Sequence, residues 1–458
     1  MNDNKMAIKP INKLYWSMGL PMIFSMVLQA LYNVVDTIFV INMGETGIKA
    51  NLALTYVFPV QIFMIAIGVG TGIGINALLS RALGEKDQKK IGLTLGNGIF
   101  LWIFIYLVFL LFGLFASQWF MSIQSDDEEI IKLGSEYLTI VTTLSFGAIG
   151  FNVFERFLQS TGKTLHSTIA QVLGAIINII LDYVFIYPLN MGVAGAAYAT
   201  IIGQIVSLLI AMFLHYFTNK EVKHTFKDII PDIHIIGAIY KVGWAAMIMQ
   251  ALLSINMFIM IKVFAINPNG DLINGTYGIY YKIQQIALFS CFGLSNTIIS
   301  LLSFNVGLGD ETRIKQCIKW GIIDTIIVAA VITILFEALA EPIANLFGLT
   351  ATGDNKDELI SLCQISIRIA SISYIFMAIS LAVQGVLQAY RKSFMPLSIS
   401  LLRLIVFLVP FALIFVYLDN ASNTVWWSFV IAEFLTAVFS IIVLFIHLKK
   451  YQLIKVSN

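Results

Sequence analysis

The amino-acid sequence predicts an all-α membrane protein of twelve transmembrane helices, built as two six-helix lobes related by a pseudo-twofold axis along the membrane normal. Three observations predict it: charge is scarce, apolar stretches of spanning length recur, and the second half of the chain repeats the first. Of 458 residues, 59% are hydrophobic and 12% are charged, whereas a soluble domain carries about a quarter charged residues. A net charge of +2 excludes a polybasic nucleic-acid binder. Three cysteines, Cys291, Cys317 and Cys363, imply no disulfide framework and read as small apolar fillers.

A helix needs about 20 apolar residues to cross the hydrocarbon core. Stretches of that length occur at 15–41, 52–79, 92–116, 135–159, 168–188, 194–217, 242–266, 277–303, 318–340, 361–388, 394–418 and 424–447. The first is too long for a signal-peptide core and is followed by no small-x-small cleavage site. It reads as a true span and an uncleaved start signal.

The breaks between spans fix an orientation. With the N-terminus inside, the inner segments carry 20 basic residues and the outer ones only Lys49, Lys132 and Lys356. That bias predicts both termini in the cytoplasm and an even number of spans. The acidic run Asp126–Glu129 falls outside and reads as a solvated face.

The repeat is visible without gaps over long stretches. One constant shift along the chain aligns Gln61 with Gln284, Gly70 with Gly293, Leu78-Leu79-Ser80 with Leu301-Leu302-Ser303, Gly84 with Gly307 and Asp87 with Asp310. A second, slightly larger shift aligns Leu158-Gln159 with Leu387-Gln388, Lys163 with Lys392 and Gln204 with Glu433. Two halves with even span counts share one orientation, so their axis runs along the membrane normal. The expected units are residues 1–217, a linker 218–241 and residues 242–458. A cavity between such lobes opens to either side by rocking, which suits a carrier.

Ionisable groups inside spans cost about 2.5–3.5 kcal/mol or more and mark candidate sites. Asp36 in the first span and Asp182 in the fifth both lie five residues from the expected outer end, about 7–8 Å deep. Asn178 sits one turn from Asp182 on the same face, and Thr200 lies at the same depth in the sixth span. This set of oxygens suits a hard cation such as sodium. A desolvated carboxylate pair equally holds a proton. Glu155 reads either as a gate or substrate anchor, or as a structural ion pair with Arg156. Glu433 has the amide Gln204 as its repeat partner, so a carboxylate there is specific to the second half. Lys262, Lys282, Asp324, Arg368 and Arg403 also fall within spans. Pro21, Pro59, Pro396 and Pro410 free backbone groups inside spans. Gly68-Val-Gly70-Thr-Gly72-Ile-Gly74 has no strand before it and reads as helix packing. Gly162-Lys163-Thr164 lacks the first glycine of a phosphate loop. With no nucleotide motor or catalytic constellation visible, an ion gradient is the natural energy source.

Leu78-Leu79-Ser80-Arg81-Ala82-Leu83-Gly84-Glu85-Lys86-Asp87 resembles the signature after the second span of multidrug and toxic compound extrusion (MATE) transporters. Tyr32-Asn33-Val34-Val35-Asp36, Asn178-Ile179-Ile180-Leu181-Asp182, Leu158-Gln159-Ser160-Thr161-Gly162 and Gly192-Val193-Ala194-Gly195-Ala196-Ala197 are similar to the same family. The branch it most resembles is the bacterial one of DNA-damage-inducible and staphylococcal-type pumps. The resemblance implies export of small organic cations in exchange for protons or sodium, with no other cofactor, by a monomer in the bacterial plasma membrane. It implies that Asp36, Asn178, Asp182 and Thr200 form the coupling-ion site and that Tyr137 borders it. Tyr137, Glu155 and Glu433 are the candidate gate or substrate contacts. In another branch the coupling acids lie in the seventh and tenth spans; here those spans offer Lys262 and Arg368 instead. The competing reading is a flippase for a lipid-linked precursor, served by the cations Lys262, Lys282, Arg368 and Arg403, or a narrow metabolite exporter. The duplicated lobes and the buried acids speak against a receptor or scaffold, and the absence of a visible catalytic constellation speaks against an intramembrane enzyme.

Overall fold

The computed structural model describes residues 4–41, 47–222, 225–348 and 356–450, with the side chains of 30, 32–38, 40, 41, 47–49, 51, 346–348 and 356 outside the description. Its helices are α1 (Lys5–Ile8), α2 (Ile11–Ile41), α3 (Gly47–Glu85), α4 (Gln88–Phe115), α5 (Ser117–Gln124), α6 (Glu128–Thr143), α7 (Phe146–Ser160), α8 (Thr164–Ile186) and α9 (Gly192–Thr218) in the first half. A 3-10 turn, Phe226–Ile229, follows. The second half holds α10 (Ile233–Phe264), α11 (Gly270–Leu308), α12 (Glu311–Gly348), α13 (Lys356–Ser371), α14 (Ser373–Ala389), α15 (Phe394–Leu401), α16 (Leu408–Val416), α17 (Ala421–Thr424) and α18 (Trp427–Lys450). A π-turn, Leu402–Phe407, joins α15 to α16.

Among the described residues, nine helices are long and apolar enough to cross a membrane, and two bent pairs add one span each. The fold is therefore all-α and multi-span. Each expected span meets a helix, but many helices run longer than the apolar stretch, as α11 does to Leu308. An apolar stretch marks only the part of a helix long enough for the hydrocarbon core, so polar end turns fall outside it.

Two expected spans are not straight. α6 and α7 meet at 42°, and α13 and α14 at 44°. No proline lies at either joint. Instead Thr142 and Thr143 donate to the carbonyls of Leu138 (2.6 Å) and Thr139 (2.5 Å), and Ser373 donates to that of Ala370 (2.6 Å), while Ser371 donates across to Glu337 Oε1 (2.9 Å). Hydroxyls that bond back to the preceding turn often bend helices.

The repeat appears as paired local contacts. Lys86 and Gly309, counterparts under the first shift, both take the left-handed backbone, with φ of 58° and 77°. Each ends a long helix, and the residue that follows it, Asp87 or Asp310, caps the next one. Asp87 accepts from the Lys90 N–H and Asp310 from the Arg313 N–H, each at 3.0 Å. Such caps satisfy helix N–H groups that have no intrahelical partner. Ser80 donates to the Ser160 carbonyl (3.3 Å) and its counterpart Ser303 to the Ala389 carbonyl (3.4 Å). Asp127, within the acidic run, caps α6 by accepting from Glu129 and Ile130.

The halves meet where α2 and α3 pack on α10 and α11. Most spans bury less than half of their most apolar stretch, whereas α11 buries 83% of it. α11 is thus the central helix, while outward chains such as Leu107, Leu111 and Phe115 stay exposed. All three cysteines are free and buried.

Candidate functional site

The polar face of α8 organises the first half. Thr168, Gln171, Asn178 and Asp182 are all buried and recur at helical spacing. Asn178 Nδ2 donates to Asp182 Oδ2 at 3.1 Å. The face turns toward α2: Thr168 donates to the Pro21 carbonyl at 2.7 Å, and Ser25 donates to Gln171 Oε1. Near the other end, Tyr187 donates to the Phe39 carbonyl at 3.3 Å. In a medium that offers no water, such bonds satisfy polar groups that would otherwise be orphaned.

α9 closes on the same helix. A Cβ on Gly203 would stand 2.8 Å from the Asn178 Cβ, and one on Gly174 would stand 2.5 Å from the Gly203 carbonyl oxygen. Glycine therefore lets the two backbones cross one turn below Asn178. Thr200, one turn along α9, is 8% exposed. Tyr137 is buried on α6 and receives a hydrogen bond from Gln61 Nε2 of α3 at 3.1 Å. Asp36 lies on α2 but outside the described side chains.

Glu155 sits in a closed triad on α7. Gln159 Nε2 donates to Glu155 Oε1 (2.9 Å), Arg156 Nη1 donates to Gln159 Oε1 (2.6 Å), and Arg156 Nη2 lies 3.7 Å from Glu155 Oε2. All three are buried. Gln159 thus bridges two neighbours whose side chains diverge by about 100° on a helix. This arrangement joins Glu155 to Arg156 both directly and through Gln159.

In the second half Arg403 Nε donates to Glu433 Oε1 at 2.6 Å, with both side chains more than nine-tenths buried. Glu433 Oε2 has no hydrogen-bond partner. Arg403 lies in the π-turn, a deformation frequent at functional sites. Asn256 Nδ2 of α10 donates to the Leu404 carbonyl of that turn at 2.6 Å. Pro410 follows, and its missing N–H removes a helical bond there. Tyr277, Tyr281, Gln284 and Phe429 line the small cavity beside the pair, about 30 Å³ in volume, room for about one water.

The two halves differ in chemistry at matched positions. Under the second, larger shift, Asn178, Asp182 and Thr200 correspond to Phe407, Phe411 and Phe429, and Gly174 to Arg403. The first half carries its polar group where the second carries phenylalanines. The second half carries its ion pair one turn away, where the first closes on glycine. Each charge is visible singly in the sequence, whereas the Arg403–Glu433 bond and the seam between α2 and α8 are not. The stripe Thr168, Gln171, Asn178, Asp182 was the available signal for the seam. Asp324 is also buried, with Oδ2 lacking a hydrogen-bond partner. Lys262 lies 5.7 Å from the centre of the Phe258 ring.

The family model described as MatE matches residues 21–184 and 245–414. The multidrug export protein MepA of Staphylococcus saprophyticus is 24% identical over 432 residues, covering 93% of this chain and 92% of the relative. An outward-facing multidrug resistance MATE family transporter of the MOP superfamily superposes with a TM-score of 0.92 at 23% identity, over 99% of both chains. A crystal structure of MATE in complex with MaL6 gives 0.90 at 22% identity, again over 99% of both.

Proposed function

The chain belongs to the MatE family, and on that premise we propose that it is a secondary active antiporter that exports small organic cations in exchange for protons or sodium. The coupling site of this reading is Asp36, Asn178, Asp182 and Thr200, bordered by Tyr137. The observation that carries it is the register of α2 against α8. The three bonds between them join positions 147, 146 and 148 apart in the chain. Asp36 and Asp182 fall in the same register, so the near-constant offset supports reading them as a pair. The name of the staphylococcal relative, a multidrug export protein, supports the substrate class.

The architecture of this reading has twelve spans. The 31-residue α2 joins the eleven others, giving lobes 1–217 and 242–458 about an axis along the membrane normal. The paired caps and hydroxyl contacts, related by the same two shifts as the sequence repeat, support that symmetry. Basic loops at one face support cytoplasmic termini. The transporter works as a monomer in lipid.

Ions reach Asp36 and Asp182 from the outside and neutralise them. The seam between α2 and α8 then relaxes, the first-lobe cavity shrinks and substrate leaves outward. The empty carrier returns and releases the ion inside. Glu433, one oxygen of which is free of Arg403, is the substrate contact of the second lobe, and Glu155 holds the inner end of α7.

Ethidium efflux from energised cells tests this. Asp36→Asn and Asp182→Asn each abolish efflux while the proteins remain folded in the membrane, and collapse of one gradient alone, proton or sodium, stops the wild type. Full efflux by both single variants sinks the site assignment. No efflux by the wild type moves the reading to a flippase or a narrow metabolite exporter.

A further inference from the structure

A second charged cavity lies away from the carboxylate site, on the face that carries the basic loops. It measures about 500 Å³ and is lined by Arg81, Lys241, Arg391 and Lys392. No acidic residue lines it among the described residues. Basic loops are ordinary on one face of a membrane protein, so charge alone decides nothing. Three further observations do.

The first is the backbone. Arg391 holds φ at 57°, and its repeat counterpart Gly162 holds 81°. Glycine adopts the left-handed region freely, and other residues rarely do. The second half keeps an arginine where the first has glycine. The second is the guanidinium. Arg391 Nη2 donates to the Ala238 carbonyl at 3.1 Å, while Nε is buried without a hydrogen-bond partner. Burial, and then the nearby charge of Arg81, hold Arg391 below the usual arginine range. The third is the counter-ion balance. Glu85 is the nearby acid, and it is shared: Arg81 Nε and Lys90 Nζ each lie 2.9 Å from it. Like charges are thus gathered around a cavity whose lining supplies no anion.

We propose that this cavity binds a phosphate-bearing anion, held by Arg81, Lys241, Arg391 and Lys392. A guanidinium fork and ammonium groups are the usual partners of phosphate oxygens. Phe394, 73% exposed, and Met395 complete the lining and offer an apolar wall beside the headgroup of a lipid. The source is either an anionic phospholipid or free phosphate. The four cations come from α3, α10 and the loop after α14, so the bound anion favours the arrangement that brings these elements together.

The test is thermal unfolding of the purified full chain in detergent. Four additions are compared: phosphatidylglycerol, phosphatidylcholine of the same chain length, inorganic phosphate, and chloride at matched ionic strength. Phosphatidylglycerol is expected to raise Tm by at least about 2 °C over phosphatidylcholine. A rise with inorganic phosphate over chloride, without a lipid preference, keeps the site and names free phosphate as its source. Arg391→Gly, which suits the left-handed backbone, and the double variant Lys241→Gln with Lys392→Gln should each lose at least half of the shift. Equal Tm with all four additions overturns the proposal, and so does a full shift in both variants.

Discussion

Gly84 and Gly307 face each other's helices in the same way: a Cβ on Gly84 would stand 2.0 Å from the Phe304 carbonyl oxygen, and one on Gly307 would stand 2.2 Å from that of Arg81. The two partners, Arg81 and Phe304, are repeat counterparts just as the glycines are. α3 and α11 therefore touch backbone to backbone at the end that carries the basic loops. No side chain fits between them, and backbone cannot yield as a flexible side chain does. A carrier that closes this end in one state must part it in the other.

Gly84→Ala and Gly307→Ala are each expected to force this contact open. Overpacking costs about 1–3 kcal/mol, enough to shift a two-state balance by roughly five- to 150-fold. Ser303, fully buried beside the contact, reports it. A Ser303→Cys reporter should react with maleimide at least about fivefold faster when Gly84→Ala is added. An unchanged labelling rate would show that the contact is not a gate.

Gln171→Leu separates a coupling role of the seam between α2 and α8 from a merely structural one. It removes the bond from Ser25. Hydrogen bonds between membrane helices contribute about 0.6 kcal/mol on average and at most about 1.7, so Tm should fall by only a few degrees. Efflux should fall at least tenfold if the seam transmits the charge state of Asp182. Efflux that falls only in proportion to the folded protein would make the seam simple packing.

How much of this was legible in the sequence differs by level. The spans were, because a lipid-facing helix must be apolar over a set length. The polar face of α8 was, because Asn178 and Asp182 are one turn apart and costly in lipid. The joints at 143–146 and 371–373 were not, because serine and threonine bend a helix only when their hydroxyls turn back onto it. The Arg403–Glu433 bond was not, because it depends on how α18 packs against a π-turn that lies beyond two intervening helices in the chain.

The ion pair of the second half carries its own prediction. Removing one partner of a buried pair typically costs about 3–5 kcal/mol, whereas replacing both with apolar groups is often neutral. Glu433→Gln alone should lower Tm strongly by leaving Arg403 without its carboxylate. Arg403→Met combined with Glu433→Leu should restore most of the loss. If Glu433 is also a substrate contact, the restored double variant folds yet binds a cationic dye at least tenfold more weakly. Dye affinity equal to wild type in that variant would leave Glu433 a purely structural role.

The last prediction concerns the short helix α1, which ties both halves at the basic face. Arg313 Nη2 donates to the carbonyls of Met6 (2.6 Å) and Lys9 (3.0 Å), while its Nε donates to Asn305 Oδ1 (2.9 Å). On the other side Asn4 Nδ2 donates to Glu221 Oε2 at 2.6 Å. Bonds from a charged donor contribute about 1.5–3 kcal/mol, so Arg313→Ala should speed trypsin cleavage after Lys5 at least about tenfold. The docked state is also pH-dependent. Burial first, and then the charges of Lys9 and Lys163, hold Lys5 below the ordinary lysine value. A docked strap therefore binds fewer protons than a free one in the interval between the two values. Docking is weakest where Lys5 is charged in both states, and it strengthens as pH rises through the lowered value toward about 10.5. Cleavage after Lys5, normalised to an unstructured peptide at each pH, should slow on the alkaline side in the wild type. Lys5→Arg, which keeps the charge and the cleavage site, should flatten that slope. A slope that survives the substitution would assign the pH dependence to another group.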